Sequence, residues 1–180
     1  MAKLYFVRHG ESQANKDGIL AGSSDSPITD EGRRQAEREA EEIKRRHISV
    51  DSIIASPLSR AAETAVIIAK LISFPIEDIK TIDDLHEKNS GSYEGQTTQD
   101  MLAASEADMR SAGGETLQVF AERVARSNDL VKSHAVGTTI VVGHSEWYRM
   151  AVCLENGWSP LDMAQVDRPL NATILEYPNF

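Results

Sequence analysis

Short apolar runs alternate along this chain with longer stretches in which apolar residues recur at helical spacing. The short runs predict strands, which we place at residues 4–7, 52–55, 79–82, 138–142, 163–166 and 173–177. The longer stretches predict helices, which we place at about residues 29–47, 58–72, 115–134 and 145–156. Strands that alternate with helices are typical of βα units, so we expect an α/β fold around a largely parallel sheet.

Two long segments lack such a pattern. Residues 10–28 are rich in Gly, Ser, Asp and Asn and predict a long loop, which in a compact domain is functional or disordered. Residues 89–114 are polar, and we expect them to contain a short helix and to form a short cover over a site. Because 180 residues is the length of one domain, we predict a single domain over residues 1–180 that includes this cover.

Composition and charge exclude several classes of protein. Hydrophobic residues make up 41% and charged residues 26% of the chain, which is ordinary for a globular protein. The net charge of −9 lacks the basic footprint that nucleic acid or an anionic membrane requires, so we expect neither as a partner. A small anion pocket remains compatible with this charge, because a pocket depends on local charges.

The cysteine content and the apolar runs indicate a compartment. The single cysteine, Cys153, excludes a disulfide framework and a cysteine-based zinc site, and it favours a reducing environment. The N-terminal apolar run is too short for a signal peptide, and no stretch approaches the ~18 apolar residues of a membrane span. We therefore expect a cytoplasmic protein.

Three predicted strands are followed by residues that suit anion binding. These segments are Arg8-His9-Gly10, Ser56-Pro57-Leu58-Ser59-Arg60 and Gly143-His144-Ser145. Ligands of open parallel sheets bind beyond the carboxyl ends of the strands, so we expect four side chains to converge there: Arg8, His9, Arg60 and His144. Two guanidinium groups and two imidazoles repel one another unless an anion binds between them. Phosphate fits best, because guanidinium groups match its oxygens bidentately.

Such a cluster favours phosphoryl transfer over metal chemistry. The arginines disfavour a metal cation, and by like-charge repulsion they favour neutral imidazole, which is a competent nucleophile toward phosphorus. The leaving oxygen then needs a proton, for which Glu87 is the candidate, because a partly buried carboxyl in an anion-loaded pocket has a raised pKa. Ser145 can offer its backbone N–H to the phosphate at the start of a helix.

Gly143-His144-Ser145 also has the beginning of the nucleophile elbow of serine hydrolases, G-x-S-x-G. Trp147 stands where that motif needs glycine, and no histidine follows His144 to complete the usual chain order. Both departures exclude a serine hydrolase.

Several segments of the chain, read in order, form a wider pattern. They are Arg8-His9-Gly10-Glu11-Ser12 with Asn15, Pro27-Ile28-Thr29-Asp30-Glu31-Gly32 with Gln35-Ala36, Ser56-Pro57-Leu58-Ser59-Arg60-Ala61-Ala62-Glu63-Thr64-Ala65, Leu85-His86-Glu87 with Gly91 and Glu94-Gly95, Gly113-Gly114-Glu115-Thr116, and Gly143-His144 with Arg149. From residue 3 to about 150 the chain resembles the histidine phosphatase superfamily, in its phosphoglycerate mutase-like branch 1.

This resemblance implies a three-layer α/β/α sandwich around a mostly parallel sheet, of the phosphoglycerate mutase-like kind. It implies a phosphohistidine intermediate on His9, and Glu87 as proton donor to the leaving group and later as base for water. It implies that the phosphoryl group is held by Arg8, Arg60 and His144, with help from Asn15. For a phosphatase it implies no metal and no cofactor.

Ser145-Glu146-Trp147 departs from the family pattern, because many relatives carry small residues after the second histidine. Glu146 would repel a phosphate if it pointed inward, so we expect it to point away or to bind a cationic part of the substrate. Trp147 is expected either on the leaving-group side or in the core.

The cover segment bears on the choice between hydrolysis and mutase activity. Mutases of the family resemble this chain in the core but carry a longer, basic cover. Residues 89–109 contain no Lys or Arg and contain the acidic residues Glu94, Asp100, Glu106 and Asp108. We therefore predict a metal-independent, histidine acid phosphatase-type phosphomonoesterase for a small phosphorylated substrate with a neutral, hydroxylated or partly cationic leaving group.

Two alternatives remain open at this point. One is cofactor-dependent phosphoryl transfer of the phosphoglycerate mutase type, and the other is a non-catalytic phosphate-binding member of the same fold. The sequence identifies neither the physiological substrate nor the oligomeric state.

Overall fold

The structure is a computed structural model that describes residues 3–97 and 105–177. In these residues one sheet has the strand order β3-β2-β4-β1-β5. Its strands are β1 (Lys3–Arg8), β2 (Ser52–Ala55), β3 (Lys80–Thr81), β4 (Thr138–Gly143) and β5 (Ile174–Glu176). The first four are parallel, and β5 pairs antiparallel with β1 at the edge.

Helices connect and cover these strands. They are α1 (Gln13–Asp17), α2 (Asp30–Arg45), α3 (Ser59–Leu71), α4 (Glu106–Ser111), α5 (Leu117–His134) and α6 (Ser145–Glu155). Single 3₁₀ turns occur at Ile76–Asp78, Asp83–Leu85 and Gly91–Tyr93, and a longer 3₁₀ segment at Pro160–Gln165. Thr29 caps α2 by accepting the Gly32 N–H, and Thr116 caps α5 in the same way from Val119.

Alternate residues of the central strands face opposite sides of the sheet, and each side is buried by a pair of helices. Phe6 and Val141 pack with apolar residues of α5 and α6, whereas Val7 and Ile140 pack with those of α2 and α3. The result is the expected three-layer α/β/α sandwich. This arrangement brings the carboxyl ends of β1, β2 and β4 to one edge of the sheet.

The predicted elements agree with the structure except at one strand and in the predicted loop 10–28, which contains the short helix α1, started by a capping box between Ser12 and Asn15. The four long helices differ from their predicted bounds by at most two residues at either end. The strand predicted at 163–166 is wrong: Pro160–Gln165 is 3₁₀ helix, started by a capping box between Ser159 and Asp162 and by proline at the first position. In the cover, α4 is the short helix that we expected, and residues 98–104 lie outside the described residues.

Trp147 belongs to the core, which is one of its two expected placements. Its indole ring is fully buried, its Nε1–H donates to Ser127 Oγ at 2.8 Å, and it lies 6.1 Å from the Phe6 ring. No helix within the described ranges is long and apolar enough to cross a membrane.

Candidate active site

A cleft of about 540 Å³ opens at the carboxyl edge of the sheet. Its inner part is lined by six of the seven residues predicted for the site: Arg8, His9, Asn15, Arg60, Glu87 and Ser145. The seventh, His144, is fully buried beside His9, with 5.2 Å between the two ring centroids. The structure therefore brings the residues that sequence reasoning placed at three separate strand ends together with Asn15 and Glu87.

His9 is held in one tautomer by its own backbone. Its Nδ1 lies 2.7 Å from the carbonyl oxygen of Gly10, and because a carbonyl only accepts, Nδ1 carries the proton. The lone pair is therefore on Nε2. Burial first, and then the charges of Arg60 and Arg8, hold the pKa of His9 well below its ordinary value. The ring is therefore neutral at physiological pH.

Backbone contacts fix the strand end that carries this histidine. The His9 N–H continues the β1–β4 ladder to the Gly143 carbonyl at 2.9 Å, and the Gly10 N–H donates to Thr64 Oγ1 on α3 at 3.0 Å. Position 10 needs glycine because a Cβ there would lie 2.3 Å from the carbonyl oxygen of Gly32. Just after His9 the chain thus passes very close to the start of α2.

The two ring nitrogens of His144 differ in their hydrogen bonding. Its Nε2 lies 2.7 Å from Ser56 Oγ, while Nδ1 is buried and has no hydrogen-bond partner among residues 3–97 and 105–177. Burial, followed by the charges of His9 and Arg60, lowers the pKa of His144 well below its ordinary value. If Ser56 donates to Nε2, the Nδ1–H is the group that remains for a phosphoryl oxygen.

Backbone carbonyls orient the two guanidinium groups without neutralising them. Arg60 is only 2% exposed, and it donates from Nη1 to the Ser24 carbonyl at 2.9 Å and from Nη2 to the Gly22 carbonyl at 2.8 Å. Arg8 donates from Nη1 to the Pro169 carbonyl at 2.9 Å. Burial lowers the pKa of both arginines, but the ordinary pKa of a guanidinium group is so high that both stay charged at neutral pH. Two positive charges are therefore preorganised for an anion.

The loop that orients Arg60 is itself held by Glu94 from the cover. One carboxylate oxygen accepts the Ser23 N–H at 2.8 Å, and the other accepts the Ser24 N–H at 2.9 Å. Both serine hydroxyls also donate to this carboxylate. Sequence reasoning counted Glu94 toward the acidic charge of the cover and toward the family pattern, but its role as a loop anchor was not foreseen.

Glu94→Gln should therefore weaken anion binding although the residue does not line the cleft. An amide cannot accept all these donors, so the loop carbonyls no longer fix Arg60, and we expect roughly tenfold weaker binding of inorganic phosphate. Isothermal titration calorimetry with phosphate measures this directly. Glu122→Gln, which removes an exposed carboxylate bonded to Gln118 on α5, is the matched control. Equal phosphate affinity in both variants would contradict the role of Glu94.

Glu87 lies against the start of α6. Its Oε2 accepts the Glu146 N–H at 3.0 Å, and its Oε1 accepts the N–H groups of Lys88 at 2.9 Å and Trp147 at 3.2 Å. Burial is the main cause that raises the pKa of Glu87, and the charge of Glu146 adds to it, against the opposing effect of the backbone N–H groups. A raised pKa is what a proton donor at this position needs.

Ser145 and Asn15 offer further donors to the cleft. Ser145 is the first residue of α6, and its hydroxyl is buried with no hydrogen-bond partner in the described part of the chain. The Oδ1 of Asn15 accepts from the Ser12 N–H at 3.2 Å and from Asn171 Nδ2 at 3.4 Å. Its amide Nδ2 is therefore the end that can donate to a ligand.

The outer cleft contains a charged cluster that the sequence did not reveal. Glu146 lines the cleft, so its side chain does not point away, and it pairs with Arg149 at 3.1 Å and with Arg168. Two arginines of the same chain thus already neutralise Glu146, which argues against its binding a cationic part of the substrate. Arg168 gave no signal, because it lies in the C-terminal segment beyond the matched motifs.

That C-terminal segment also contacts the backbone of Arg8 and His9. Asn171 Nδ2 donates to the His9 carbonyl at 2.8 Å, and the Ala172 N–H donates to the Arg8 carbonyl at 2.8 Å. Ala172 has a φ of 44°, which an alanine adopts only at a cost. These contacts join the end of β1 to residues far along the chain, which no local pattern could show.

Several acidic groups of the cover have structural roles. Glu94 anchors the loop described above, Glu106 accepts the Leu117 N–H at 2.8 Å, and Asp108 forms the capping box of α4. Asp100 lies outside the described residues. Because these carboxylates bond within the chain and two arginines enter the cleft from elsewhere, the acidity of the cover does not by itself determine the charge of the leaving group.

This fold and this cluster of histidines and arginines are those of one class of protein. A model of the histidine phosphatase superfamily (branch 1) matches residues 4–178, and the chain belongs to that superfamily. The protein named "Probable phosphoglycerate mutase GpmB" of Salmonella choleraesuis (strain SC-B67) is 30% identical over an alignment of 184 positions, gaps included, that covers 87% of this chain and 82% of that protein.

Solved structures agree with this assignment. The alpha-ribazole phosphatase from Shigella flexneri superposes with a TM-score of 0.79 at 25% identity, over 96% of this chain and 88% of that one. The phosphoserine phosphatase from Entamoeba histolytica, solved with 3-phosphoglyceric acid, gives 0.76 at 25% identity, over 97% and 89%. Relatives named as phosphatases and as a mutase support a phosphoryl-handling enzyme.

Proposed function

We propose that this protein is a metal-independent phosphomonoesterase that acts through a phosphohistidine on His9. The observation that carries the proposal is the state of that ring: it is neutral, its proton is fixed on Nδ1 by the Gly10 carbonyl, and Arg8 and Arg60 lie close enough to lower its pKa. An uncharged nucleophile between two fixed cations suits attack on a phosphate dianion.

The first step transfers the phosphoryl group to the enzyme. Nε2 of His9 attacks phosphorus, the bond from phosphorus to the ester oxygen breaks, and Glu87 gives its proton to that oxygen. In the second step Glu87 takes a proton from water, the water oxygen attacks phosphorus, and the bond to Nε2 breaks. Inorganic phosphate leaves, and Glu87 is protonated again.

The remaining site residues stabilise the charge that develops on the phosphoryl oxygens. Arg8, Arg60 and the Nδ1–H of His144 are the candidate donors, and none of them reorganises far, because backbone carbonyls or Ser56 already hold them. Asn15 Nδ2 and Ser145 supply further donors from the lining of the same pocket. The cleft suits a small phosphorylated substrate.

Hydrolysis of p-nitrophenyl phosphate in the presence of a metal chelator tests this function. We expect turnover that is the same with and without the chelator, together with an acid-labile phosphoenzyme. A well-folded protein that released no phosphate from a broad panel of phosphomonoesters would contradict the proposal and would favour a phosphate-binding protein without catalysis.

Phosphoglycerate mutase activity is the second candidate. It is favoured by Arg149 and Arg168, which line the outer cleft and could bind a substrate carboxylate, and by the relative named as a mutase. Incubation with 3-phosphoglycerate and 2,3-bisphosphoglycerate separates the two functions. We expect slow release of inorganic phosphate and little 2-phosphoglycerate, whereas rapid interconversion of the phosphoglycerates would replace the hydrolase by a mutase.

A further inference from the structure

One motif of the sequence, Gly113-Gly114-Glu115-Thr116, has no part in the chemistry described so far. Glu115 forms a bidentate ion pair with Arg123 of α5, with Nε–Oε1 and Nη2–Oε2 distances of 2.7 Å. The side chain of Arg123 is only 5% exposed and that of Glu115 only 13%. Neither residue lines the cleft, so the pair acts on something other than the substrate directly.

The same guanidinium group binds the chain that carries Glu87. Its Nη1 donates to the carbonyls of Asp84 at 2.8 Å and His86 at 2.9 Å, and its Nη2 donates to the carbonyl of Glu87 at 3.2 Å. Residues 84–89 form what we term the acid segment. Arg123 thus fixes residues 84–87 of the acid segment by donating to three of their carbonyls.

Glu115 holds the C-terminal end of the acid segment. Its Oε2 accepts the Asn89 N–H at 2.8 Å, and its own N–H donates to the Asn89 carbonyl at 2.8 Å. The acid segment contains only the end of a 3₁₀ turn and no strand, so no sheet ladder fixes its backbone. The ion pair supplies contacts that regular secondary structure would otherwise provide.

We propose that Arg123 and Glu115 are positioning residues that aim the carboxyl of Glu87 at the leaving oxygen. This inference rests on the function proposed above. Proton transfer requires the donor within hydrogen-bond reach of the ester oxygen, and a small displacement of a positioned group costs much of its rate. Only arginine can do this here, because its planar fork donates to Glu115 and to three carbonyls at once.

Arg123→Lys tests the proposal while it retains a positive charge beside Glu115. The single ammonium group cannot reach the carbonyls and the carboxylate together. We expect kcat/KM for phenyl phosphate, whose leaving oxygen is strongly basic, to fall at least about tenfold. For p-nitrophenyl phosphate, whose leaving group needs little protonation, the fall should be less than about threefold.

Arg126→Lys is the matched control. Arg126 lies on the same helix, and its side chain is 62% exposed. It pairs at 3.5 Å with the Asp84 side chain, whereas the three carbonyl contacts described above are made by Arg123. We expect both esters to keep their wild-type rates in this variant. Thermal unfolding of both variants shows whether a lower rate results from lost stability or from displacement of the Glu87 carboxyl.

A double variant shows whether the effect passes through Glu87. In a Glu87→Gln background, Arg123→Lys should leave the ratio of the two rates unchanged, because the proton donor is already absent. An equal fall of kcat/KM for both esters in Arg123→Lys would overturn the positioning role. So would a change in the ratio of the two rates that is as large in the Glu87→Gln background as in the wild-type background.

Amide hydrogen exchange tests the positioning without turnover. In Arg123→Lys we expect at least about tenfold faster exchange at the N–H groups of Glu146 and Trp147, which the Glu87 carboxylate holds. Wild-type exchange at both would overturn the proposal. Should the enzyme hydrolyse neither ester, the proposed function fails, and exchange alone still decides whether the pair positions Glu87.

Discussion

His9→Ala is expected to reduce phosphomonoester hydrolysis by at least about 10⁴-fold and to abolish the phosphoenzyme. Alanine leaves no atom that can accept the phosphoryl group, and the arginines alone cannot replace a nucleophile. The fold should persist, because the backbone N–H of residue 9 still donates to the Gly143 carbonyl and the side chain that is removed is uncharged. Phosphate release, phosphoenzyme trapping and thermal unfolding measure the three expectations.

His134→Ala controls for the loss of an imidazole. His134 is exposed at the end of α5, where its Nδ1 bonds to the Leu130 carbonyl at 2.8 Å, and it does not line the cleft. This variant should keep its full rate. Substantial residual turnover in His9→Ala, with a phosphoenzyme still formed, would remove His9 as the nucleophile.

Glu87→Gln is the second large effect that we expect, and its size depends on the leaving group. For phenyl phosphate kcat/KM should fall by about 10²–10⁴-fold, because the amide cannot give up a proton to the ester oxygen. For p-nitrophenyl phosphate the fall should stay below about tenfold. A similar loss on both esters would refute the role of Glu87 as acid.

The pH profile gives an independent test of the same residue. The acid must hold its proton, so kcat/KM for phenyl phosphate should fall as the pH rises through the raised pKa of Glu87. On the other side His9 must be neutral, and its lowered pKa moves the acidic loss of rate below the ordinary histidine range. In Glu87→Gln the alkaline fall should disappear, and titration of the ester itself cancels when the two enzymes are compared.

The local pattern of the chain was sufficient for the framework of the fold. Period and length placed the four long helices, and β-branched runs such as Thr138–Val142 placed the central strands, because these signals arise within a few residues. The strand predicted at 163–166 was wrong because its apolar pattern is short and a stronger local signal precedes it. There the capping chemistry of Ser159 and Pro160 outweighed an apolar pattern four residues long.

Convergence of the inner site was also predictable, because parallel strands bring their carboxyl ends together. Roles at Glu94 and Arg168 were not, since both depend on contacts with distant parts of the chain: a loop about 70 residues away for one and Glu146 for the other. The charge of a segment says little about a site until its carboxylates have been traced to their partners.

The contacts from Pro169 and Asn171 to the end of β1 have a consequence for biosynthesis. β1 is made first, yet its neighbour β4 follows more than a hundred residues later, and the carbonyl that orients Arg8 comes later still. Synthesis must therefore pass Asn171 before the backbone around His9 acquires these contacts. Nascent protein should have no activity until the last strand has left the exit tunnel.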